Sequence, residues 1–170
     1  MPRLPWLDRT WSFDYSVDLF PSVLERLRGT PARLEEAVEG LAREALVQRV
    51  GDAWSIQENA GHLLRLEALP AARLEDFLAG AATLSAWAGN EADDEARYGD
   101  MQIEDILRRF RTARSRLVVR LDELTPEDFA RSARHPRLDQ PIRLVDMCLF
   151  QADHDDHHLA RIHELARAAR

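Results

Sequence analysis

The chain has 170 residues, 45% of them hydrophobic, with 23 basic against 30 acidic side chains and a net charge of −7 at pH 7; this describes one domain able to build its core without disulfides or a structural metal and speaks against a nucleic-acid partner. Every basic residue is arginine and the single cysteine is Cys148, which excludes Schiff-base and phosphate-cradle lysines, an internal disulfide and any cysteine zinc cluster. The opening MPRLPWLDRT lacks an apolar signal core and no run approaches about 18 apolar residues, so a cytoplasmic chain with no membrane partner is expected.

Residues 1–29 read as an aromatic lead-in, with Trp6, Trp11, Phe13 and Tyr15, that packs across the rest of a single domain spanning 1–170. It contains a short amphipathic helix over Leu19–Arg28, which Gly29 closes as a left-handed cap. Thr30-Pro31 is an N-cap followed by a first-turn proline, and it opens a core helix over 31–47 with Leu34, Ala37, Val38, Leu41 and Ala45 at helical spacing. Ser55-Ile56-Gln57-Glu58 is a capping box and starts a second helix, 56–79, in which Pro70 predicts a kink or short break. Periodicity then fails between Gly80 and Gly99, where Gly89-Asn90-Glu91 and Asp93-Asp94 read as loop. A third helix over 102–123 aligns Ile103, Ile106, Leu107, Phe110, Leu117, Val118 and Leu121. Thr125-Pro126-Glu127-Asp128 caps a short turn, 132–140 reads as loop, and Pro141 opens a fourth helix to about 168. That helix turns Leu144, Met147, Cys148, Gln151, Ile162 and Leu165 inward and ends in Arg167 and Arg170, which suit its dipole. No segment alternates like a strand. Four long helices predict an all-α four-helix bundle, of up-down or crossover topology.

The chemistry lies on the second and fourth helices. In His154-Asp155-Asp156-His157-His158, positions 154 and 158 differ by four residues, about 40° around a helix, so both imidazoles leave one face. They are either a bidentate metal clamp or core histidines hydrogen-bonded to buried carbonyls. His157 points elsewhere and is expected at the surface; Asp155 and Asp156 either orient the imidazoles or are solvated. His62, on the flank of the second helix, is the best third ligand, while His135 and His163 have weaker claims. Three neutral imidazoles suit zinc, nickel or iron(II) and leave coordination positions open. Glu67 and Arg114 fall inside apolar stripes, where charges do not sit unpaired. They form a buried ion pair that fixes helix register, or they line a pocket beside the metal. Cys148 reads as a small core residue.

LRGTPARLE, WSIQENAGHLLRLE, FRTARSRL, the HPRL segment and HDDHHLARI together resemble the DinB-like (DinB/YfiT) superfamily of metal-binding four-helix bundles over nearly the whole chain. The resemblance implies a metal on His62, His154 and His158, which match the family's histidine after a Trp-Ser helix start and its His-x-x-x-His pair on the last helix. Arg161 stands where relatives often carry glutamine; with Arg114 and Glu67 it is a candidate substrate contact. Relatives include transferases and an isomerase that use low-molecular-weight thiols, and proteins described as metal-dependent hydrolases; many are homodimers. The expected function is therefore activation of a thiol cosubstrate or water by a divalent ion against a small-molecule substrate. The alternative is a non-catalytic, stress-associated or dimerising helical module with a structural metal.

Overall fold

The computed structural model describes residues 4–87, 89 and 97–169. Helix α1 spans Phe20–Val38 and a short α2 spans Arg43–Val47; α3 covers Ile56–Leu66 and α4 Ala68–Leu78. Next come α5, Ile103–Asp122, and a single turn α6, Pro126–Phe129. Strands β1, Ser132–His135, and β2, Gln140–Arg143, lead into α7, Leu144–Ala169. Helices α1 and α3 each pack against α5 and α7, so the consecutive long helices α1 and α3 lie across the bundle from one another. This is a crossover topology. No helix among the described residues is long and apolar enough to cross a membrane.

The helical break expected at Gly29-Thr30-Pro31 does not occur: α1 runs through all three residues, and Gly29 is no left-handed cap. Pro31 has no N–H and so deprives the Leu27 carbonyl of its helical donor. The Arg114 guanidinium on α5 replaces it, donating from Nη1 to Leu27 O at 3.1 Å. The helix ends instead at Val38, where Gly40 takes φ 71°, and α2 is a separate five-residue turn rather than the end of a helix over 31–47.

The second expected helix is likewise two. The Ser55 and Glu58 capping box opens α3 as predicted, and the break falls at Glu67, three residues before Pro70. A proline removes the hydrogen bond to the carbonyl four residues earlier, here Leu66, so the ladder fails before the ring rather than at it. The break turns Glu67 into the bundle.

The segment read as loop over 132–140 is half of a hairpin, with Ser132 opposite Arg143 and His135 opposite Gln140. Pro141 belongs to β2, not to α7. Each strand is four residues long, too short for a period of two to register, and Pro141 is tolerated because a two-stranded ribbon leaves one edge unpaired. The Arg143 N–H donates to Asp146 Oδ2 at 3.0 Å, which caps the true start of α7. The Leu84 N–H donates to the Arg134 carbonyl at 3.0 Å and the Arg134 N–H to the Ala82 carbonyl at 2.9 Å, so part of 80–99 runs beside β1. Asn90, Glu91, Asp93, Asp94 and Arg170 lie outside the described residues.

The apolar core has two halves. One gathers Leu24, Leu27, Leu74, Phe77, Leu117 and Val145; the other gathers Leu34, Leu63, Ile106, Phe110, Leu159 and Ile162. Between them lies a polar layer. Arg114, 1% exposed, is paired with Glu67 (Nη2 to Oε1, 2.6 Å) and with Asp155 (Nη1 to Oδ2, 2.5 Å). Asp155 also accepts from the Thr30 hydroxyl at 2.9 Å and from Gln151 Nε2 at 3.0 Å. Burial works against the Arg114 charge, but Asp155 and Glu67 more than offset it and hold the guanidinium above its ordinary pKa. Burial pushes the Glu67 carboxyl up against the pull of Arg114. The expected Glu67 and Arg114 pair exists, with Asp155 as a third member.

Gly61, on α3 beside His62, makes a different contact. A Cβ there would stand 2.2 Å from the Tyr98 ring, so only glycine admits the close approach. The Gln57 side-chain amide donates to the carbonyls of Tyr98 and Met101 and fastens the same segment.

Gly61→Ala should lower unfolding free energy in urea by about 1–3 kcal/mol through overpacking against Tyr98. Arg114→Met should cost about 3–5 kcal/mol, because two buried carboxylates lose their counter-ion, whereas Arg114→Met with Glu67→Met and Asp155→Leu should cost much less. Urea denaturation of the three variants checks both expectations.

Candidate metal centre

Because α3 packs on α7, His62 meets His154 and His158, and all three are buried, at 4%, 7% and 8% exposure. His62 Nε2 lies 3.4 Å from His154 Nε2, and His158 Nε2 lies 3.2 Å from the same atom. One potential ligand atom from each residue falls within 4.8 Å of the others. Two nitrogens about 2.0–2.1 Å from one tetrahedral ion stand roughly 3.3 Å apart. The observed spacing fits that arrangement.

The protonation states fit as well. Asn59 spends both amide hydrogens on the carbonyls of Trp54 (3.2 Å) and Ser55 (2.7 Å) and so presents Oδ1 to His158 Nδ1 at 2.8 Å. The His158 proton is assigned to Nδ1, which leaves the Nε2 lone pair facing the other two rings. His154 Nδ1 is buried with no hydrogen-bond partner among the described residues. Burial holds the His154 imidazole well below its ordinary pKa, and His62, His157, Arg114 and Arg137 add to the effect. Neutral imidazoles whose lone pairs converge repel one another unless a cation lies between them.

The three rings open on a cavity of about 580 Å³ with Trp6, Trp54, Trp87 and Phe150 in its walls. Trp6 comes from the lead-in; its ring lies 5.0 Å from both Phe150 and His154. His157, expected at the surface, is half-buried beside this segment, with Arg9 Nη2 at 3.2 Å from its Nδ1. Asp155 touches no imidazole and belongs to the Arg114 layer; Asp156 binds Arg26 and Arg33 at 2.6 Å each. Arg114 and Glu67, expected to contact a substrate, lie behind the cavity wall rather than in it, and Arg161 pairs with Glu164 at 3.3 Å away from it. The polar groups that do face the cavity beyond the three histidines and His157 include Arg73, His135 and Arg137. His163 is exposed. Cys148 is a buried core residue whose thiol burial pushes up to about 12. Sequence reasoning missed Asn59 and the cavity arginines; only the i, i+3 step from Asn59 to His62 hinted at a shared face.

A crossover four-helix bundle with three inward histidines beside a cavity defines the class of this protein. The DinB superfamily model matches residues 26–162, and the chain belongs to that superfamily. Its fold is similar to that of YfiT from Bacillus subtilis, described as a probable metal-dependent hydrolase with an unusual four-helix bundle topology, with a TM-score of 0.84 at 22% identity over 94% of this chain and 93% of that one. It is also similar to the mycothiol-dependent maleylpyruvate isomerase, with a TM-score of 0.67 at 9% identity over 93% of this chain and 62% of that longer one. No curated protein sequence matches the chain.

His135 titrates in an unusual place. Its Nδ1 accepts the backbone N–H groups of Arg137 and Leu138, both at 3.2 Å, and burial, then Arg73 and Arg137, depress its pKa from 6.5 to about 4. Between those values the unfolded chain binds a proton that the folded chain refuses. The stabilisation is complete above pH 6.5 and is lost as pH falls toward 4. His135→Asn keeps an acceptor for the two N–H groups and should remove up to about 3 kcal/mol of this acid sensitivity, read as the difference between the two proteins' stability-pH curves.

Proposed function

We propose that His62, His154 and His158 hold one divalent transition ion, zinc, nickel or iron(II), and that the protein is an enzyme directing a low-molecular-weight thiol or water at an electrophile in the adjoining cavity. The observation that carries this reading is the convergence of three imidazoles on the wall of a cavity, with His154 Nε2 at 3.4 Å from His62 Nε2 and 3.2 Å from His158 Nε2. Bound there, a divalent ion lowers the pKa of a thiol or water and polarises an electrophile. The chain's own residues set the conditions. Three uncharged imidazoles leave the ion its full positive charge. Asn59 holds His158 in the ligating tautomer, and burial keeps His154 unprotonated. The tryptophan and phenylalanine walls exclude water and offer apolar contact to a substrate of modest size.

A bracing ion in a non-catalytic module is less well supported, because the Arg114 layer and the two apolar half-cores already join the helices. YfiT's description favours water as the nucleophile and the isomerase's name favours a thiol; the cavity accommodates either.

Tag-free protein should carry about one transition ion per chain by elemental analysis, and the His62→Ala/His154→Ala/His158→Ala variant none; metal-free wild type after incubation with zinc, nickel and iron(II) would sink the reading. Asn59→Ala should weaken metal affinity about 10–100-fold with the fold retained. Loaded protein offered an activated ester, or a thiol with an electrophile, separates the two nucleophiles by whether thiol is consumed.

A further inference from the structure

The cavity has a second polar cluster. Besides the histidine triad its wall includes Arg73 of α4 together with His135 and Arg137, at the end of β1 and just beyond it. Arg73 is only 5% exposed. Its Nε donates to the Ser85 carbonyl at 3.0 Å, yet no carboxylate of the described residues lies within ion-pair distance of its guanidinium or of that of Arg137. Asp76, three residues along α4, attracts Arg73 but spends Oδ2 on the Ser85 N–H at 2.6 Å. This is unusual in a chain with more acid than base, where Arg26, Arg28, Arg33, Arg111, Arg114 and Arg143 all reach carboxylates.

A buried guanidinium without a counter-ion is costly. Burial, opposed by Asp76 and reinforced by Arg137, lowers the Arg73 pKa to about 10. Arg73 and Arg137 in turn depress His135, so the three groups form one electrostatic cluster. His135 receives two backbone N–H groups on Nδ1 and therefore carries its proton on Nε2, which is buried with no partner among the described residues. Arg137 also rests over the Phe150 ring, 5.8 Å from its centroid, which keeps it against the wall. The cluster presents two cations and a neutral donor. What complements it is an oxyanion.

We propose that Arg73, Arg137 and His135 form an anion subsite that takes a carboxylate or phosphate group of the small-molecule substrate, with the rest of that molecule directed along the cavity toward the three histidines. The direction of the substrate rests on the metal-site reading above; the subsite itself stands on the arginines alone.

The test is calorimetric titration of metal-free, full-length protein with inorganic phosphate and, separately, with succinate at low ionic strength. The two probes distinguish a phosphate from a carboxylate preference. Saturable binding of at least one probe is expected, weakened about tenfold or more in Arg137→Gln and partly restored in Arg137→Lys. Arg137 is largely exposed, so these variants keep the fold even if Arg73→Gln does not, and their metal content should match the wild type's. No saturable binding, or binding that Arg137→Gln and a folded Arg73→Gln leave unchanged, overturns the subsite. So does binding that appears only in loaded protein and vanishes on chelation, because the anion then sits on the ion. Arginine-dependent binding in a protein that takes up no metal supports the subsite while the metal-site reading falls.

Discussion

One guanidinium holds the bundle together. Arg114, from α5, reaches the Glu67 break between α3 and α4, Asp155 on α7 and the Leu27 carbonyl on α1, so all four sides of the bundle meet on one planar group. Such a fork suits arginine and not lysine, because its donors diverge in fixed directions toward several acceptors. Each irregularity around it is compensated there. Pro31 deletes a backbone donor, and Arg114 supplies one; Pro70 breaks a helix, and the break delivers Glu67 as the counter-ion. Anchoring Asp155 on the bundle axis also fixes the rotation of α7. His154, one residue back, and His158, three residues on, then fall on the same side of that helix, toward α3.

The same layer separates folding from chemistry. The buried charges that fix register are saturated by one another, whereas four groups around the cavity are not: among the described residues His154 Nδ1 and His135 Nε2 have no hydrogen-bond partner, and Arg73 and Arg137 have no carboxylate. A well-packed bundle does not retain uncompensated groups in one place without use for them. The electrostatic character of the cavity also differs from that of the molecule. A chain of net charge −7 lines this space with imidazoles and the guanidinium groups of Arg73 and Arg137, a local field opposite in sign to the net charge.

Most of the helical framework was legible because amphipathic period and capping chemistry are local. The Ser55 and Glu58 box, the stripe of α5 and the spacing of His154 and His158 all express themselves within a few residues. Glu67 and Arg114 were legible for the opposite reason: a charge on an apolar stripe demands a partner. What failed was local evidence overruled from a distance. Gly29-Thr30-Pro31 is a sound stop-and-start signal in isolation, and only Arg114, far along the chain, makes a continuous helix tolerable. The hairpin at 132–143 escaped notice because only Ala133, His135 and Ile142 are buried in it. Asp155 looked like one more acid in an acidic run, and Arg73 like one more arginine on a helix face. Their roles depend on which neighbours the crossover topology brings, and no period in the sequence carries that.

The lead-in matters for time as well as for shape. Residues 11–17 alternate between half-buried and exposed, with Trp11, Phe13, Tyr15 and Val17 turned toward the bundle, yet before α1 the segment forms only two short 3-10 turns and no ladder. It is attached through side chains. Lifting Trp6 from the cavity therefore breaks few backbone hydrogen bonds, whereas exposing the same rings from the α7 side would open the Arg114 layer. Access to the cavity can thus run on the fast clock of a side-chain-held strap while the bundle keeps the slow clock of global unfolding. Trp6 and Trp11 also precede the stretch, 26–162, that matches the superfamily, so this wall can be exchanged for another without touching the three histidines or the layer that positions them.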